Sequence, residues 1–126
     1  MSYISRADVT DNIISNFDLA PYLIETDNEI IDLAESLGVS ENAIETNPLH
    51  NKIKRYAIAF CLMRLCQDKT GSNNIELPEM EKYVVKYEIY RKEVEKLRQQ
   101  INYEMFTGTV LTIRDRAVVS GTIYRG

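Results

Sequence analysis

One histidine, two cysteines and two closely spaced carboxylate pairs are the side chains of this 126-residue chain best suited to acid-base, redox or metal chemistry. His50 is the lone histidine, so a histidine-rich metal site is excluded, and its place just after Pro48 predicts a partly exposed first-turn residue. Asp8 with Asp11, and Asp32 with Glu35, put carboxylates on one face of a helix, where such pairs hold a cation or divide acid and base roles. On short exposed helices the same spacing ordinarily serves solvation and salt bridging, which is the reading adopted. Cys61 and Cys66 lie inside an apolar run at a spacing that turns them about 140° apart on a helix. They cannot readily pair, and two thiols acting as small hydrophobes are expected. The chain has no P-loop, dinucleotide-binding glycine pattern, HExxH or paired-cysteine zinc motif. The expectation is a non-enzyme with no metal and no cofactor.

Lys52, Lys54 and Arg55 form a small basic cluster that can meet phosphates. Without interleaved exposed aromatics it is explained more simply by pairing with acids elsewhere in the chain. Those acids are plentiful: residues 1–50 carry a net charge of −9, whereas residues 51–78 carry +3, residues 79–108 are neutral and residues 109–126 carry +2. Either opposite fields meet within the chain or between neighbouring copies, or the charges simply solvate the surface.

The length fits one domain with a modest core. The longest apolar run, Ala57 to Met63, is far short of the roughly 20 residues a membrane span needs, so no membrane crossing is expected. The first residues have neither the basic start nor the apolar run of a secretion signal, which predicts synthesis in the cytoplasm.

Four helices are predicted to carry these residues. Ser5 and Asp8 make a cap-like start for a first helix from Arg6 to Phe17, followed by an irregular connector over 18–25 around Pro21. Thr26 and Glu29 read as a capping box opening a second helix that ends at Gly38. Asn47-Pro48 reads as the start of a third, running to about Lys69, with apolar residues around most of its circumference. It is expected to be the most deeply buried element.

From Pro78 to Phe106 no glycine or proline interrupts the chain, which predicts one long helix. Met80, Tyr83, Tyr87, Tyr90, Val94, Leu97 and Ile101 give it a heptad stripe. Much of that stripe is expected to be spent against the third helix. Tyr83, Tyr87 and Tyr90 are candidate subunit contacts together with Lys52, Lys54 and Arg55, because a tyrosine buries its ring while its hydroxyl seeks a partner. Residues 109–126 are rich in β-branched side chains and read as two strands or one extended arm. Val110, Leu111, Ile113, Arg114, Arg116, Val118, Val119, Ile123 and Tyr124 are its candidate partner-binding residues. The fold class expected is therefore mainly α: a helical bundle over 1–108 with one long C-terminal helix, then a short β-hairpin or arm over 109–126.

The order of parts resembles a known family. Tyr3-Ile4-Ser5 leads into Asp8-Val9, a buried helix spans Leu49 to Asp68, a Gly/Asn loop follows, and Glu81-Lys82-Tyr83 opens a long charged helix before the β-rich arm. This resembles the small head-tail connector proteins of tailed phages, also called head-completion or neck adaptor proteins. The resemblance implies a virion protein, made in the host cytoplasm, whose copies form a ring, commonly dodecameric, beneath the portal protein. It implies that the ring joins the portal to the next neck or tail-completion protein, and that DNA passes through without sequence-specific binding. It implies no catalytic residue. The alternative is a dimeric coiled-coil regulatory or nucleic-acid-binding helical protein, using Lys52, Lys54, Arg55, Arg114 and Arg116 on phosphates.

Overall fold

In a computed structural model that describes residues 3–11, 18–70 and 77–108, the chain is a helical bundle. Its helices are α1 (Ala20–Ser36), α2 (Asn51–Thr70), α3 (Leu77–Gln100) and the short α4 (Tyr103–Thr107), with 3-10 turns at Arg6–Asp8 and Glu41–Ala43. No strand occurs among the described residues. The expected β-hairpin or arm over 109–126 lies outside them.

α2 is the centre. Ile53, Tyr56, Ala57, Cys61, Leu65 and Cys66 are all buried along it, as its all-round apolar pattern predicts. α1 covers one side, antiparallel to it: the Arg64 guanidinium donates to Glu25 at 2.9 Å and the Tyr22 hydroxyl to Asp68 at 2.9 Å near the start of α1. Glu29, further along α1, meets Tyr56 nearer the start of α2. α3 covers another side, also antiparallel to α2: Arg55 pairs with Glu93 at 2.9 Å, Ile58 and Ala59 one turn on share a groove with the earlier Ile89 and Tyr90, and Cys66 farther along feels the still earlier Lys86. α1 and α3 therefore run in the same direction. Ile30 from α1 and Leu97 from α3 close the core over α2, and the α3 stripe is spent inside the subunit as expected, with Tyr83, Val94, Leu97 and Ile101 buried.

Several local expectations are corrected. The first helix shrinks to the 3-10 turn Arg6–Asp8, after which Val9 to Asp11 is not helical, and residues 12–17 lie outside the described ones. The connector predicted over 18–25 is instead the opening of α1, because Pro21 falls in its first turn, where no N–H is needed for the helical ladder. Thr26 is consequently mid-helix and buried, its hydroxyl donating to the Tyr22 carbonyl at 2.6 Å rather than capping. α2 starts at Asn51, not Pro48; the imidazole Nδ1 of His50 accepts from the Lys52 N–H at 3.1 Å and supplies the cap.

The long helix ends at Gln100. Asn102 is extended and accepts from the Met105 N–H at 3.0 Å, starting α4 as an N-cap and turning the chain so that Phe106 is fully buried. The Glu45 N–H donates to the Phe106 carbonyl at 2.7 Å, tying α4 to the loop before α2. Gly108 then terminates α4 at φ 68°, with the Glu45 side chain 3.2 Å from where a Cβ would stand.

Candidate interaction surface

The candidate catalytic groups are not brought together. His50 is exposed at the start of α2. Asp8 accepts from the Ser5 N–H at 2.8 Å and pairs with Lys54 at 3.2 Å; the Ser5 N–H and the Lys54 ammonium hold its carboxyl below the usual carboxylate range. Asp11 turns the other way, accepting from the Tyr90 hydroxyl and pairing with Lys86 at 3.2 Å. The two acids of that pair serve as separate clasps, one to α2 and one to α3. Cys61 and Cys66 are free and buried, and burial pushes both thiols up to about 11. Among the described residues no three His, Cys, Asp or Glu side chains converge as a metal ion needs.

The basic cluster is divided as well. Lys54 goes to Asp8, Arg55 goes to Glu93 on α3, and Lys52 is half-buried beside His50. Acids of the N-terminal half thus account for Lys54, whereas Arg55 finds its partner on α3. Of the tyrosines, Tyr83 is buried, Tyr87 is half-buried, and Tyr90 is half-buried with its hydroxyl on Asp11; burial first, then the Asp11 carboxylate, raises that phenol. The arm residues Val110, Leu111, Ile113, Arg114, Arg116, Val118, Val119, Ile123 and Tyr124 lie outside the described residues.

What the bundle leaves open is apolar surface. Val84, Val85 and Ile89 on α3 are 47%, 59% and 53% exposed, and Ile24 on α1 is 62% exposed. None of them belongs to the heptad stripe. Ile89 also lines a groove of about 330 Å³ between α2 and α3, with Ile58 and Tyr90 beside it, the small side chain of Ala59, and the Arg55 to Glu93 ion pair. A second hollow, of about 360 Å³, lies against Met80, Glu81, Val84 and Val85. Single exposed hydrophobes are ordinary, but a run of them along one helix beside a groove is the pattern of an interaction surface. The signal was present in the sequence as Val84-Val85 and Ile89, apolar residues out of step with the repeat that the core uses.

No described helix is long and apolar enough to cross a membrane. No protein-family profile, curated protein or solved structure matches the chain.

Proposed function

We propose that the chain is a non-catalytic structural protein that assembles with copies of itself into a ring, in the manner of the phage neck adaptors its sequence resembles. The observation that carries this reading is the exposed run Val84, Val85 and Ile89 on a bundle whose core is already closed by other residues. Side chains of that kind lower their free energy by burial against a partner, at roughly 25 cal/mol for each Å² removed from water. In the finer form of the proposal, the ring sits under the portal in the virion neck, with DNA passing through its channel. The net charge of −4 suits such a channel, because a strongly basic lining would hold phosphates. Residues 109–126, as a β-rich arm, dock on the portal or on the next neck protein by strand addition.

Mass measurement of the purified protein mixed with its portal tests the reading. A ring-sized assembly is expected, and a stable monomer indifferent to the portal overturns it. Removing residues 109–126 should abolish docking while the helical circular dichroism signal survives. Undiminished docking by the truncated chain removes the role given to the arm.

A further inference from the structure

α1 and α3 each present a lengthwise face to solvent that no described element covers. On α1 it begins with exposed Ile24, continues through half-buried Ile31, and ends with exposed Asp32 and Glu35. On α3 it begins with Val85 and Ile89 and ends with exposed Lys92 and Lys96. None of these four charged side chains takes part in an ion pair among the described residues. This sets them apart from Glu25, Glu29, Arg55 and Lys86, which are all paired within the chain.

The two faces are written in the same order. From Ile24, exposed Asn28, half-buried Ile31 and exposed Glu35 follow at i+4, i+7 and i+11; from Val85, Ile89, Lys92 and Lys96 follow at the same offsets. These offsets keep each set within one stripe of a helix. Both stripes open on apolar residues, with the polar Asn28 between Ile24 and Ile31 on α1, and close on charged ones, acidic on α1 and basic on α3. Direction then decides which pairing is complementary. Laid parallel, Ile24 and Ile31 meet Val85, Ile89 and the aliphatic stem of Lys92, while Asp32 and Glu35 meet the ammonium groups. Laid antiparallel, Glu35 falls on Val85 and Lys96 on Ile24, and both matches are lost.

Because α1 and α3 run the same way within the subunit, rotating a copy about an axis along the bundle brings its α1 alongside its neighbour's α3 in the parallel sense. We propose that the occupant of the α3 face is a second copy of this chain, docking through the outer face of its α1. The contact joins two different surfaces, so each copy keeps one of each free for the next, and repetition closes a ring when the rotation permits. The inference rests on the self-association in the preceding section and names the surfaces that mediate it.

Charge reversal of the full-length protein tests it, read by analytical ultracentrifugation. The wild type should sediment as an assembly. Reversing the basic end (Lys92→Glu with Lys96→Glu) or the acidic end (Asp32→Lys with Glu35→Lys) should give monomer with unchanged helical circular dichroism, since none of the four holds the fold. The two monomeric variants carry mutually complementary faces, so mixing them should restore assemblies in which they alternate. The protein carrying all four substitutions should assemble alone. If either reversed variant assembles as the wild type does, or if mixing restores nothing, this contact is wrong while the ring reading stands. A wild type that stays monomeric even with the portal overturns both.

Discussion

Tyr56 shows what single side chains contribute here. Its ring is fully buried in the second turn of α2, stacked on Phe60 with 6.5 Å between ring centroids, yet its hydroxyl donates to Glu29 at 3.2 Å and accepts from Arg98 at 3.3 Å. Arg98 also reaches Glu29 directly at 3.2 Å, so one phenol stands where all three long helices meet. Replacing Tyr56 with Phe removes a hydrogen-bonding oxygen but leaves the Glu29 to Arg98 pair, and a loss of about 1 kcal/mol is expected in urea unfolding. Tyr56→Ala also empties the core and should cost about 3–5 kcal/mol. Burial first, then the Glu29 carboxylate, pushes the Tyr56 phenol up to about 12 from its ordinary value of 10.0. The unfolded chain therefore releases this proton at lower pH than the folded one, and the stability it confers is complete below pH 10 and lost as pH rises toward 12. Stability measured across that window should fall, and Tyr56→Phe should make the fall shallower; an identical slope in both proteins would show that the phenol is not held this way. The periodicity predicts that Tyr56 packs, but not that its hydroxyl is the joint, because the partners Glu29 and Arg98 come from helices far away in the chain.

At the scale of the elements, legibility followed how far each signal depends on its surroundings. α2 was plain because apolar residues on most of its circumference leave no alternative to a central position. The start of α1 is not legible in the sequence, because proline is both a helix breaker and a good first-turn residue, and only its position in the finished helix decides between them. The break after Gln100 is hidden for a related reason. Asn102 is an acceptable interior residue when the helix is imagined unbroken from the stripe's end at Ile101 to Phe106, and it becomes a cap once burying Phe106 against the loop before α2 is favoured over continuing α3. Asn102→Ala should therefore cost about 1 kcal/mol. Among the described residues, two glycines have positive φ and give a sharper comparison. Gly38, at φ 82°, has open space around its missing Cβ, so Gly38→Ala meets only the left-handed backbone penalty of about 1–2 kcal/mol. Gly108, at φ 68°, meets that penalty together with Glu45 at 3.2 Å. Gly108→Ala should be the more damaging in thermal unfolding, and the reverse order would mean that Glu45 yields without cost.

For the whole molecule, the charge gradient along the chain has two destinations. The acidic N-terminal half is folded against the basic middle and long helix by Asp8 on Lys54, Asp11 on Lys86, Glu25 on Arg64 and Glu29 on Arg98. These clasps bring part of the acidic half onto the basic residues of α2 and α3. Asp32 and Glu35 on α1 and Lys92 and Lys96 on α3 remain outside that arrangement, and the sequence could not separate them from the rest because exposure depends on which faces the bundle covers. The two sets respond differently to salt. The solvent-facing pairs inside one chain are each worth only about 0.2–1 kcal/mol, the Asp11 carboxylate on Lys86 is shielded at 7% exposure, and the core beneath them carries no charge to screen, so the urea midpoint should move little. Charges that draw separate copies together act over a screening length of about 10 Å at 0.1 M and only about 3 Å at 1 M salt. Raising salt between those limits should therefore shift sedimentation from assembly toward monomer while the helical circular dichroism signal is unchanged. The apolar half of the interface, Ile24 and Ile31 against Val85 and Ile89, responds in the opposite sense, because salts excluded from apolar surface strengthen its burial. An assembly that dissociates on adding sodium chloride is thus held in register by the lysine and carboxylate ends, whereas one that tightens would leave the exposed isoleucines and valines as its whole driving force and remove the charged ends from the contact.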